Sequence, residues 1–123
     1  MPSDKPLVRL SDILENVDRI RRYTEGYDFE RFAGDSRCQD AVERCLLRIS
    51  EAARKLADFL DEIAPGQPWP DVRAVGNVLR HDYDPVDPAV IWQIVEKDLV
   101  PLRRAVEKAI RDLGDGSAKP DLE

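Results

Sequence analysis

Apolar residues recur at spacings of three and four along most of the chain, the rhythm of helices that bury one face. Leu10, Ile13, Leu14, Val17, Ile20 and Tyr23 mark a first amphipathic helix over residues 7–25, stopped by Gly26. The segment "YDFERFAGD" (27–35) follows, and its Tyr27, Phe29 and Phe32 are expected to pack a short helical turn onto the rest. At "SRCQ", Ser36 and Gln39 have the spacing of a capping box. A long stripe then runs Cys38, Ala41, Val42, Cys45, Leu46, Ile49, Ala52, Ala53, Leu56, Phe59, Leu60, Ile63, and predicts one long helix ended by "PGQPWP" (65–70).

A third helix is predicted from about Pro70 to Tyr83, closed by Pro85, because the residue before a proline disfavours the helical conformation. Asp87 followed by Pro88 has the form of a cap and first helical position for a fourth helix. Its stripe is Ile91, Ile94, Val95, Leu99, Leu102, Val106, Ile110 and Leu113, and Pro101 inside it predicts a kink or break. No segment alternates with period two. The expected fold is therefore all-α, an up-and-down bundle of four to five helices over residues 1–113, followed by a flexible polar tail, "GDGSAKPDLE" (114–123).

A chain of 123 residues suits one domain with a real core that needs no disulfide or metal. Its net charge of −6 argues against nucleic-acid binding through a broad basic surface, while leaving room for a small local site that handles RNA. The longest apolar run, "AVIW" (89–92), cannot span a bilayer, so no membrane association is expected. The beginning, "MPSDKPLVRL", lacks a basic region followed by an apolar core, so a cytoplasmic location is expected. Cys38 and Cys45 lie seven residues apart, about 10.5 Å along a helix and too far for a disulfide. With one histidine in the chain there is no zinc set, so no metal or other cofactor is expected and both thiols read as core residues.

Candidate chemistry concentrates in "GNVLRHDY" (76–83), on the third helix. At about 100° per residue, Val72, Val75, Val78 and Leu79 share one side. Arg73, Asn77, Arg80 and His81 lie on the other, with Gly76 at its edge and Tyr83 near the boundary. Asparagine is a poor helix former, so Asn77 in a helix interior points to a task for its side chain. A histidine near neutral pKa can take the proton of a ribose 2′-hydroxyl or give one to a leaving 5′-oxygen. A neighbouring guanidinium can hold the phosphate and offset its developing charge. One histidine cannot readily do both proton transfers, and a two-fold dimer would supply a second.

Four segments, "LSDILENVDRIRRYTEG", "RCQDAVERCLLRISEAARKL", "PWPDVRAVGNVLRHDYDPVD" and "VIWQIVEKDLVPLRRAV", together resemble the HepT-like branch of the HEPN superfamily, over about residues 10–110. The resemblance implies a HEPN-like homodimer formed through the central helices, with a composite cleft. It implies a metal-independent endoribonuclease toxin whose motif is arginine, four residues, histidine, any residue, tyrosine. The implied partner is a minimal nucleotidyltransferase antitoxin that can adenylylate the motif tyrosine. His81, Tyr83 and Asn77 match the family pattern; the arginine's place is taken by Gly76, which leaves Arg80, one helical turn on, as the surrogate phosphate ligand. The sequence supports two main readings: an RNase toxin acting through His81, Arg80 and Asn77 with Tyr83 as support and modification target, or a binding module that pairs with the nucleotidyltransferase without cutting RNA. A structural helical adaptor is a third.

Overall fold

The computed structural model describes residues 5–81 and 86–114, and of Val78, Arg80 and His81 the backbone alone. Among the described residues there is no strand. Helix α1 spans Pro6–Tyr23, with proline at its start, where a missing N–H goes unneeded. It ends at Thr24, whose hydroxyl and N–H both donate to the Ile20 carbonyl, before Gly26 turns the chain at φ 78°. Short α2 (Phe29–Ala33) starts at Asp28, whose carboxylate accepts from the Arg31 N–H. The long helix α3 covers Ser36–Leu56, α4 covers Phe59–Ile63 and α5 covers Trp69–His81. Helix α6 (Pro88–Gln93) runs through a widened π turn, Ile94–Asp98, into α7 (Leu99–Gly114).

The long helix differs from expectation at both ends. Its cap is Asp35 rather than Ser36: the Asp35 carboxylate accepts the Cys38 N–H at 3.0 Å, and the Tyr27 hydroxyl donates to the same carboxylate at 2.6 Å. Gln39 reaches back to the Phe32 and Ala33 carbonyls, tying α2 to α3 rather than closing a capping box. At the other end the helix stops at Ala57, which stands at φ 54° and ψ −138°, a conformation a side chain makes costly by about 1–3 kcal/mol. The turn redirects the chain so that Leu60 of α4 is fully buried.

Further on, Asp87 caps α6 as expected, accepting the Ala89 N–H. Pro101 does not break the last helix. It offers no N–H to the Lys97 carbonyl and its ring crowds that carbonyl, and the widened turn at Ile94–Asp98 takes up the misfit. Helix α7 continues through Gly114; the rest of the polar tail lies outside the described residues.

Helix α3 is the axis of the bundle. It packs against α1 and α5 on its flanks, and against α2, α4 and α6 at its ends, while α7 packs against α1. Leu10, Ile13, Val17 and Ile20 of α1 meet Val42, Cys45, Ile49 and Ala53 of α3 in one core, with Leu99, Leu102 and Val106 from the last helix. A two-pronged ion pair fastens α7 to α1: Arg103 Nε to Asp18 Oδ1 at 2.7 Å and Nη2 to Oδ2 at 3.4 Å. Phe32 of α2 stacks obliquely on Trp92 of α6, ring centres 5.1 Å apart. Of the aromatic residues expected to pack, Phe29 and Tyr23 stay largely exposed, at 41% and 39%. Cys38 and Cys45 are free and buried, and burial raises both thiols above their ordinary pKa.

The Asp35 cap makes stability depend on pH. The hydrogen bond from Tyr27, then that from the Cys38 N–H, holds its carboxyl below the ordinary value of 3.8. The folded pKa lies below the unfolded one, so this contribution is complete above about pH 4 and is lost as pH falls through the depressed value. Asp35→Asn should therefore lower the melting temperature at pH 7, with the gap to wild type closing in acid. Melting curves by circular dichroism between pH 2 and pH 7 (roughly the range in which carboxylates titrate) check this.

Candidate active-site helix

Helix α5 carries the candidate motif, and its placement begins at Trp69. This ring is fully buried and donates its indole N–H to the Ala64 carbonyl at 2.8 Å, fixing where the helix starts after the Gly66 turn. From there α5 packs against α3, with no comparable contact to another helix among the described residues. The closest link is Ser50 of α3, whose side chain has no exposure to solvent. Its hydroxyl donates to the Arg73 carbonyl at 2.9 Å and accepts the Gly76 N–H at 3.1 Å. One small polar side chain thus engages two successive turns of α5. Such an approach needs small residues on both helices, and Gly76 supplies one of them.

Gly76 is therefore buried rather than at an open edge. The close contact it permits is with α3 of its own chain. Arg73 is half-buried, and its Nη1 makes a long contact of 3.5 Å to the carbonyl of the strained Ala57. Val72, Val75 and Leu79 are partly buried against the core, as their shared side predicts. Asn77 faces solvent. Arg80 and His81 form the end of α5, but their side chains lie outside the described residues, as does all of Tyr83. The structure thus places the backbone of Asn77, Arg80 and His81 on one helix, which Ser50 ties to α3.

Beside α5 runs an apolar groove of about 490 Å³. Val72 and Val75 form one wall, Ile49 lies between, and Ile94, Leu99 and Leu102 form the other. On α3, Leu46, Ala52 and Ala53 are buried within the chain, while Ala41 and Leu47 are only partly so. Among the described residues no helix is long and apolar enough to cross a membrane, and no group of three His, Cys, Asp or Glu side chains could hold a metal ion.

Ser50 is the positioning residue that periodicity missed. It follows Ile49 directly in the apolar stripe, and a serine in that phase, with Ala53 one turn on, was the available signal.

The family model described as ribonuclease HepT-like matches residues 13–109, from within α1 to within α7. The chain belongs to the HepT-like ribonuclease family. Among its relatives, a protein of Methanocaldococcus jannaschii named as a candidate RNase is 30% identical over 92% of this chain and 93% of its own length. A second from the same organism, also named as a candidate RNase, is 32% identical over 80% of this chain and 90% of its own. A protein of Thermococcus cleftensis named as a candidate ribonuclease HepT is 33% identical over 80% and 90%. No solved structure gives a significant match.

The Ser50 link can be tested within this HepT-like chain. Ser50→Ala removes a buried hydroxyl and both of its hydrogen bonds, and should lower unfolding free energy by about 1–2 kcal/mol in urea titrations. Ser50→Leu, which forces the helices apart, should lower it by about 1–3 kcal/mol or more.

Proposed function

We propose that this HepT-like protein is the RNase toxin of a pair with a minimal nucleotidyltransferase antitoxin, cutting RNA without a metal at a cleft shared by two protomers. The observation that supports it is α5 itself: a short helix seated on α3 by Ser50 and Gly76, carrying Asn77, Arg80 and His81 within a ribonuclease-family chain. His81 takes the proton of the ribose 2′-hydroxyl, and the 2′-oxygen bonds to phosphorus. The bond from phosphorus to the 5′-oxygen breaks, and the partner's His81, protonated beforehand, gives that oxygen its proton. The products are a 2′,3′-cyclic phosphate and a 5′-hydroxyl end. Arg80 holds the phosphate in place of the motif arginine, and Asn77 orients the reacting groups.

The dimer is part of the proposal. The groove beside Val72 and Val75 offers apolar surface next to α5, and a second copy seated there would bring two α5 helices together. The antitoxin would silence the site by transferring AMP from ATP to the Tyr83 oxygen, with pyrophosphate leaving, which places an anion where RNA phosphate must bind.

A second reading is favoured by one observation. The family's arginine position is a buried glycine engaged with Ser50, so this chain has given that position to packing. It would then keep fold and partner but bind without cutting. Gly76→Arg is a poor way to decide, because it alters the α3–α5 contact along with the charge. Arg80→Ala is cleaner.

Expressed alone in a bacterial host, the wild type should arrest growth and cleave RNA, and His81→Ala should do neither. For the purified protein, sedimentation should give a dimer, and Arg80→Ala should leave it intact while slowing cleavage tens to several hundred-fold, equivalent to about 2–4 kcal/mol of transition-state stabilisation. A wild type without detectable cleavage would establish the binding-module reading instead.

Co-expression with the nucleotidyltransferase should add the mass of AMP to the peptide containing Tyr83, and Tyr83→Phe should remain unmodified. Neutralised toxicity with no added mass would point to inhibition by binding alone.

A further inference from the structure

A second cleft lies between α1 and α3, of about 350 Å³. Arg9, Arg44, Arg48 and Lys55 line it against Asp12 and Glu51, so four cations face two carboxylates, an excess of two positive charges. In a chain whose net charge is −6, this is a local reversal of sign. Asp12 is further engaged by Arg9, Nη1 to Oδ2 at 3.6 Å, and Glu51 by Arg54 outside the cleft at 3.7 Å. Arg44, Arg48 and Lys55 are exposed along one wall.

Two residues that line the cleft each carry a buried polar atom with no partner among the described residues. Asn16 is 93% buried (7% exposed), and its Nδ2 donates to the Asp12 carbonyl at 2.8 Å, which fixes the oxygen end of the amide. That oxygen, Oδ1, has no hydrogen-bond partner, and neither does the buried Nε of Arg9. A buried acceptor without a donor typically costs about 1–3 kcal/mol.

The chemistry that fits is specific. Arg9 Nε asks for an acceptor, the cationic wall asks for negative charge, and Asn16 Oδ1 asks for a donor. Phosphate supplies the first two and a hydroxyl the third. The dimensions favour a strand over a single nucleotide. Arg9 and Asn16 are two turns apart on α1, about 10.5 Å, and Arg44, Arg48 and Lys55 extend over three turns of α3, about 16.5 Å. Among the described residues no aromatic side chain lines the cleft, so recognition falls to the sugar–phosphate backbone. A 2′-hydroxyl is the donor that separates RNA from DNA.

We propose that the α1–α3 cleft is a backbone-reading site for single-stranded RNA, in which Arg44, Arg48 and Lys55 hold phosphates and Asn16 Oδ1 accepts a ribose 2′-hydroxyl. It rests on the ribonuclease reading for its ligand, and deepens it: the strand is held on α3 as well as at α5, without sequence preference.

The test uses the full chain carrying His81→Ala, so that RNA stays whole, and a labelled twelve-residue oligouridine (roughly the reach of one such groove) in fluorescence anisotropy. Binding should be tighter for RNA than for the matching deoxyuridine oligomer. Contact with about three phosphates predicts a log–log salt slope near −2. Arg44→Glu with Arg48→Glu, both exposed, should weaken binding roughly tenfold or more and flatten the slope by at least about 1. Asn16→Leu should abolish the preference for RNA while leaving DNA binding in place. Unchanged RNA affinity in the double charge reversal overturns the proposal, as does equal affinity for AMP and the oligomer. These outcomes separate from cleavage. Wild-type cleavage that the charge reversals leave untouched keeps the ribonuclease reading and removes this site; oligomer binding lost on charge reversal, in a chain that never cuts, keeps the site and removes the nuclease.

Discussion

A serine hydroxyl with no access to water joins the two helices that matter most. Ser50 Oγ engages the backbone of α5 at Arg73 and again at Gly76, so the helix carrying Asn77, Arg80 and His81 is located by main-chain atoms rather than by adaptable side chains. Catalytic groups lose rate steeply when displaced by an ångström, and a link made through the backbone resists such displacement better than apolar contact alone. Trp69 fixes the same helix at its start through Ala64, so its axis is held at two points. The apolar groove on its other flank lets this happen without enclosing α5 in the core.

That seating changes the meaning of Gly76. In isolation a glycine within a helix is a loss of about 1 kcal/mol against alanine. Here its N–H meets a buried acceptor in addition to the helix's own geometry, and the small residue is what brings α3 near. Position 76 serves the fold.

How legible this was depended on whether the signal lay within one helix or between two. The stripes of α1 and α7, that of α3 as far as Leu56, and the Asp87–Pro88 start of α6 follow from local spacing and appear where the pattern puts them. The Asp35 cap was hidden because Asp and Ser are equally good caps; what selects Asp35 is the Tyr27 hydroxyl eight residues earlier. The stop at Ala57 was hidden for a different reason. Its apolar phase continues into Leu60, and alanine is a residue from which positive φ is not expected. The candidate motif was readable as far as its helix, but Ser50 acts across a helix pair, and no periodicity within one helix reveals which neighbour will face it.

The widened turn at Ile94–Asp98 also sets the timing of the last helix. A π turn admits about one extra residue, which rotates everything after it by about 100° relative to everything before. Ile91 and Trp92, ahead of the turn, can therefore serve α2 and α3, while Leu99, Leu102 and Val106, behind it, serve α1. One continuous rod presents two differently aimed apolar faces. Closing this turn to ordinary α spacing without removing a residue would leave each half well formed and put them out of phase, swinging Arg103 away from Asp18 and turning charged positions of α7 toward the core. The segment carries one residue more than a regular helix would need, and the two faces keep their separate aims only while the turn stays wide.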